Sequence, residues 1–148
     1  MRKTALLILV LFLALPVTHM AKARQRVSRK SPPLTGTYVQ SGRKGAGGTL
    51  LVRRLDSNRI EFDLECSRGA PSFNSGVAHA TIDVLEGIAV YRVTEFNGPC
   101  ELKFDFRGSS VVVFQTGEDF ACGFGHGVDC SGTYRLKSRK PPKFKTRD

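Results

Sequence analysis

The side chains best equipped for chemistry are four cysteines (Cys66, Cys100, Cys122 and Cys130), three histidines, and a set of closely spaced carboxylates. Cys122, His126 and Cys130 follow one another at four-residue steps and offer three metal-competent groups in nine residues. Zinc there would need ionised thiolates and a fourth ligand or water. A Ser-His-acid arrangement would have to take its base from His79 or His126, because His19 falls in a leader-like segment. No G-x-S-x-G elbow accompanies either histidine. Glu61, Asp63, Glu65, Glu101 and Asp105 could supply an acid–base pair by number alone. They alternate with apolar residues and share their polar phase with Arg59, Lys103 and Arg107, the pattern of a solvated sheet face. The run Ser41-Gly42-Arg43-Lys44-Gly45-Ala46-Gly47-Gly48 fails as a phosphate cradle: no helix follows it and the G-K-[ST] ending is missing. The chain is therefore expected to be non-catalytic, with no metal and no cofactor.

The compartment decides how the cysteines are read. Arg2 and Lys3 precede an apolar run from Ala5 to Leu15, Pro16 breaks it, and Ala21-Lys22-Ala23 supplies an A-x-A cleavage pattern. Residues 1–23 thus read as a secretory signal peptide cut near Ala23. As a helix, the eleven apolar residues would span only ~16 Å, short of the ~30 Å hydrocarbon core of a bilayer. The expected location is secreted or periplasmic. An even number of cysteines in such an oxidising space favours two disulfides over a metal site. Four cysteines allow three pairings, and spacing does not choose among them.

The 148 residues carry a formal charge of +10, and its distribution matters more than its size. Residues 24–33 hold four basic residues and no acid; residues 135–148 hold seven basic residues against Asp148 alone. The stretch 34–134 has nine basic and twelve acidic residues, so the body is mildly acidic between two basic flanks. Pro32-Pro33 and Pro141-Pro142 oppose regular structure in both flanks. The reading is a basic disordered linker over 24–34, a folded domain over 35–137 and a basic disordered tail over 138–148. Arg139, Lys140, Lys143, Lys145 and Arg147 would give that tail a salt-sensitive attraction for anionic polymers or membrane surfaces. Specific nucleic-acid recognition is not expected, since the body has no basic face.

The elements that must position any site are strands. Arg59-Ile60-Glu61-Phe62-Asp63-Leu64-Glu65-Cys66 and Cys100-Glu101-Leu102-Lys103-Phe104-Asp105-Phe106-Arg107 alternate charged and apolar residues with period two. Further strands are predicted at 36–40, 49–55, 77–85, 88–94, 110–116 and 132–137, separated by turn signals such as Glu86-Gly87 and Asn97-Gly98-Pro99. His79 falls on the solvent phase of its strand with Thr81 and Asp83. No helix of ten residues is predicted after the leader. Eight strands joined by short connections give a single small antiparallel meander, a barrel or a sandwich. Gly36-Thr37-Tyr38 and Gly132-Thr133-Tyr134 open the first and last strands, which favours a barrel closed by pairing the two. Binding residues gather on the loops of such a scaffold. Candidate contacts are Arg43 and Lys44 in the first loop, Phe73 in residues 68–76, and Phe124 and His126 in residues 117–131.

The succession Ala89-Val90-Tyr91, Cys100-Glu101-Leu102-Lys103-Phe104, Val111-Val112-Val113-Phe114-Gln115-Thr116-Gly117, Cys122-Gly123-Phe124-Gly125 and Gly132-Thr133-Tyr134 carries a resemblance. Over residues 35–137 it resembles a family of small exported bacterial β-domains with a C-G-F-G…G-T-Y C-terminal motif, related to modules in lysozyme-inhibitor-like proteins. The resemblance implies a calycin-like, disulfide-stapled barrel and a Cys100–Cys122 bridge. Cys66 and Cys130 stand outside the shared pattern and are left to pair with each other. It further implies a binding module acting on a protein of the cell envelope or extracellular space, with a lysozyme as the suggested target. The basic flanks lie outside the pattern, and the alternative role is the anionic-surface attachment they would mediate.

Overall fold

The computed structural model describes residues 34–96 and 98–144; the signal-peptide reading of 1–23, most of the linker, and Lys145 and Arg147 lie outside them. Strands form where the sequence alternates: β1 Gly36–Ser41, β2 Gly47–Arg54, β3 Arg59–Ser67, β4 Ser75–Leu85, β5 Ile88–Val93, β6 Cys100–Phe106, β7 Ser110–Thr116 and β8 Gly132–Ser138. Each pairs antiparallel with the next and β8 returns to β1, so the sheet closes into an eight-stranded barrel, not a sandwich. Among the described residues the only helical pieces are two short 3-10 turns, Arg43–Gly45 and Asp119–Cys122.

One phase of every strand points inward. Tyr38, Leu50, Ile60, Phe62, Leu64, Leu102, Phe104, Val111, Val113 and Tyr134 are all essentially inaccessible to solvent. Phe62 sits at the centre, its ring 4.8 Å from that of Phe104 and 5.4 Å, edge-on, from that of Tyr91. An eight-stranded barrel is just wide enough for side chains to fill it. Each aliphatic or aromatic group so buried contributes about 1.5–3 kcal/mol.

The twin Gly-Thr-Tyr segments do the same job at the closing seam. Tyr38 donates its hydroxyl to the carbonyl of Leu34 at 3.1 Å, and Tyr134 donates to the carbonyl of Cys130 at 3.0 Å, in both cases four residues upstream. β1 meets β8 through Tyr38↔Leu136 and Val39↔Arg135, with a register shift between Thr37 and Tyr38. Both tyrosines point inward and satisfy a carbonyl that would otherwise be stranded at the edge of the core.

Up-and-down connectivity sorts the loops onto two ends. Residues 42–46, 68–74, 94–99 and 117–131 connect strands at one end; the turns at 55–58, 86–87 and 107–109 lie at the other, where β1 begins and β8 finishes. Ser138, assigned to the tail from sequence, is the last residue of β8 and pairs with Thr37. Beyond it the chain turns back along the outside wall. The Arg53 guanidinium lies 4.8 Å from the centre of the Phe144 ring, and His79 meets the same ring edge-on at 5.7 Å. This part of the wall is not the bare solvated face read from the sequence. Asp63, directly opposite His79 in the register, is only 7 % exposed.

Candidate functional site

Both disulfides, Cys66–Cys130 and Cys100–Cys122, lie at the four-loop end, and both fasten the same connection, residues 117–131. Cys66 is next to last in β3 and Cys100 opens β6, so the loop is pinned at two points of the barrel rim. The turn Asp119–Cys122 and the residues after it fold over the opening and bury Ala121, Cys122, Phe124, Val128 and Cys130. Phe124, expected at the contact surface, is one of these plugging side chains and is 6 % exposed. The reason is Gly76: a Cβ at that position would stand 2.6–2.9 Å from the Phe124 ring, so the glycine leaves the slot the ring fills.

Polar groups hold the plug in shape. The Gln115 amide accepts from Cys130 N–H at 2.9 Å and donates to the Val128 carbonyl at 3.3 Å. Asp119 accepts from Phe120 N–H at 2.8 Å and from Gly127 N–H, with His126 Nδ1 3.6 Å from its second oxygen. The Gly127 and Phe120 amides, then the His126 ring, hold the Asp119 carboxyl below the usual carboxylate range. Asn74 donates to the His126 carbonyl at 2.7 Å, and Gly125 N–H donates to the Ser75 carbonyl at 3.0 Å, joining this loop to the β3–β4 connection. That connection is joined in turn to the first loop by Ala70 N–H and the Lys44 carbonyl at 2.9 Å. Three of the four loops are thus joined by hydrogen bonds into one cap, and the Cys100–Cys122 disulfide ties it to the end of the fourth.

What the cap shows to solvent is aromatic. Phe73, Phe96 and Phe120 are 61 %, 52 % and 48 % exposed, on three of the four loops. Phe73 is held in the left-handed region at φ 50, a conformation that is costly for a bulky residue, by its N–H bond to the Gly69 carbonyl at 2.9 Å. Lys44, in the neighbouring loop, has φ 53. Phe96 lies against Gly123, so it and Phe120 share a corner formed by the β5–β6 and β7–β8 connections. Arg43, Lys44 and His126 are exposed beside the aromatic groups, as the sequence reading expects. Phe96 and Phe120 were not among the residues singled out from sequence. Their signal is a phenylalanine set among turn formers and acids, Glu95-Phe96-Asn97-Gly98-Pro99 and Glu118-Asp119-Phe120, where a core role has no periodicity to support it.

The remaining candidates fall elsewhere. His79 is on the outer wall, 3.7 Å from Glu61, which also binds Arg53. Arg139 and Lys140 follow β8 at the opposite end, and Lys143 precedes Phe144 on the outer wall. Among the described residues no three His, Cys, Asp or Glu side chains converge as metal ligands. A groove of about 440 Å3 runs beside the cap, lined by Gln115, Glu118, Asp119, Phe120, His126 and Asp129 among others. Compared with known proteins, the chain matches no family, no curated protein and no solved structure.

Proposed function

We propose that this is an exported, non-catalytic binding module of inhibitor type that docks on a protein of the cell envelope or extracellular space. The observation that carries the reading is three exposed phenylalanine rings at a loop end whose longest connection is pinned to the barrel rim by two disulfides. Exposed aromatic anchors on a preorganised scaffold are the usual core of a protein-binding surface, because little conformational entropy is lost when they are buried. The disulfides suit an oxidising compartment. The resemblance in the sequence suggests a lysozyme as the target.

The test is capture and inhibition with the oxidised chain, using envelope extract and purified lysozyme, against a Phe73→Ser, Phe96→Ser, Phe120→Ser variant. A central anchor contributes roughly 2 kcal/mol, about 30-fold in Kd. The variant should lose at least that factor while unfolding at the same denaturant concentration. Equal retention by the variant would refute the loop-end reading. Retention stripped by ~0.5 M salt would instead assign binding to Arg139, Lys140, Lys143, Lys145 and Arg147.

A further inference from the structure

The cap divides into two sides of opposite charge. The β1–β2 and β3–β4 connections are joined by the hydrogen bond from Ala70 to Lys44; the β5–β6 connection and the start of 117–131 are joined by the Cys100–Cys122 disulfide. Strand order sets these two pairs on opposite sides of the barrel mouth. The first side carries Arg43 and Lys44, with Glu65 in the groove beneath the first loop; the second carries Glu95, Glu118 and Asp119. With histidine neutral, the net charge is +1 on the first side and −3 on the second. Arg68, whose guanidinium lies beside Gly127, and Asp129, next to the Cys66–Cys130 disulfide, stand between the sides and cancel. Arg92 and Glu101, below the second side, pair with each other. Arg43, Lys44, Glu95 and Glu118 are exposed, and none has an ion-pair partner among the described residues. Each side also carries aromatic surface. Phe73 lies against Gly45 on the first, and Phe96 and Phe120 form the corner on the second.

Such a surface is complementary to itself. We propose that two copies of this chain pair cap to cap, about a two-fold axis that runs across the mouth along the boundary between the two sides. Two-fold pairing brings the same patch of both copies together. Rotation about that boundary lays the basic side of each copy on the acidic side of the other. It also sets each Phe73 against the Phe96–Phe120 corner of the other copy. An axis at right angles to the boundary would put like charges in contact, so charge selects between the two geometries. In the selected one the like-charged sides stand roughly 15 Å apart, the width of an eight-stranded barrel at ~4.8 Å per strand. That is about two Debye lengths at physiological salt, so the repulsion between acidic sides is screened more than the attraction across the interface. At ~200 Å2 per phenylalanine side chain, the ring surface exposed at the cap amounts to about 300 Å2 per copy. A standard complex buries ~800 Å2 of each partner. The pair should therefore be weak and reversible, with a Kd of ~10–500 µM. The pairing itself does not rest on the target-docking reading, but its consequence does. A second copy and a target cannot hold one cap at once, so self-association sets how many caps are free to dock.

The test is charge reversal with complementation, read by sedimentation velocity of the oxidised chain. The unaltered chain should be a monomer at ~1 µM and largely a dimer at ~1 mM. Arg43→Glu with Lys44→Glu makes both sides acidic, and Glu95→Lys with Glu118→Lys makes both basic. Each double variant alone should dimerise at least tenfold more weakly. An equimolar mixture of the two should form a mixed dimer within threefold of the original Kd, because opposite charges again meet at both contacts. Neither variant should pair that well with the unaltered chain, since one of the two contacts is then between like charges. A folding defect cannot produce this pattern, because two damaged chains do not repair each other on mixing. Three results would overturn the proposal: a chain still monomeric at ~1 mM, double variants that dimerise like the original, or a mixture no stronger than its components. A monomeric chain that still captures a different protein, and loses it in the three-serine variant above, would end the pairing and leave the docking reading standing.

Discussion

Tyr134 offers a test of how the barrel is closed. Its hydroxyl is fully buried and its only described partner is the Cys130 carbonyl, at 3.0 Å. Tyr134→Phe keeps the ring and its packing but strands that carbonyl, which costs about 1–3 kcal/mol. Denaturant unfolding of the oxidised chain at pH 7 should show a loss in this range with an unchanged m-value. Alkaline pH adds a second signature. Burial, and then the nearby charge of Asp129, push the Tyr134 hydroxyl far above its ordinary value. The folded state therefore holds this proton more tightly than the unfolded chain, where tyrosine ionises near 10. Its contribution is complete below pH ~10 and is lost as pH rises towards the folded value, at up to about 1.4 kcal/mol per pH unit. The phenylalanine variant has no such slope at this position, so the gap between the two proteins should narrow above pH ~10. A loss under ~0.5 kcal/mol at pH 7, or a gap that stays constant from pH 9 to 11, would refute the assignment of this hydroxyl as a buried structural donor.

Gly76→Ala places a methyl against the Phe124 ring and should destabilise by about 1–3 kcal/mol, with limited proteolysis moving first to residues 117–131. Replacing Cys100 and Cys122 by alanine opens a link of sequence separation 22 and should cost about 3 kcal/mol in denaturant unfolding. The strand amides should keep their protection relative to one another, while those of the cap lose theirs. Phe144→Ala removes a surface ring held by Arg53 and His79. It should change stability by less than ~1 kcal/mol and make the bonds after Arg139 and Lys143 cleavable by trypsin at a higher rate.

The strands were legible because their signal is local. Ile60, Phe62, Leu64 and Cys66 alternate with charges, and a closed sheet with one inner face has no other way to use that pattern. The eight predicted segments therefore match the eight strands to within two residues at each end. The twin Gly-Thr-Tyr openings pointed to closure because they mark both ends of the domain as true strands, whose pairing removes two sheet edges. Residues in irregular segments carry no period, and there the reading failed. Nothing around Phe124 says whether its ring faces in or out. That is settled by the missing Cβ of Gly76, 48 positions earlier in the chain. Asp63 obeys the outer phase of its strand, yet it is covered, on a stretch of wall where Phe144 rests against its neighbour His79. The brevity of the β4–β5 pairing, Val84↔Ala89 and Leu85↔Ile88, was likewise invisible, because alternation marks a strand but not how far its neighbour accompanies it.

The separation of the two ends has a consequence for how the molecule would sit on anything that holds it. β1 begins and β8 finishes at the end remote from both disulfides, so the chain enters and leaves the barrel at the pole opposite the phenylalanine-bearing cap. A surface that gripped the barrel at that pole, where Arg139 and Lys140 leave β8, would leave the aromatic cap standing outward, about one strand length away. Seven residues at ~3.3 Å each make that offset roughly 20 Å, more than two Debye lengths at physiological salt. Charge on such a surface would be screened from whatever the cap engages, so anchoring and recognition could be tuned separately by substitutions at the two poles.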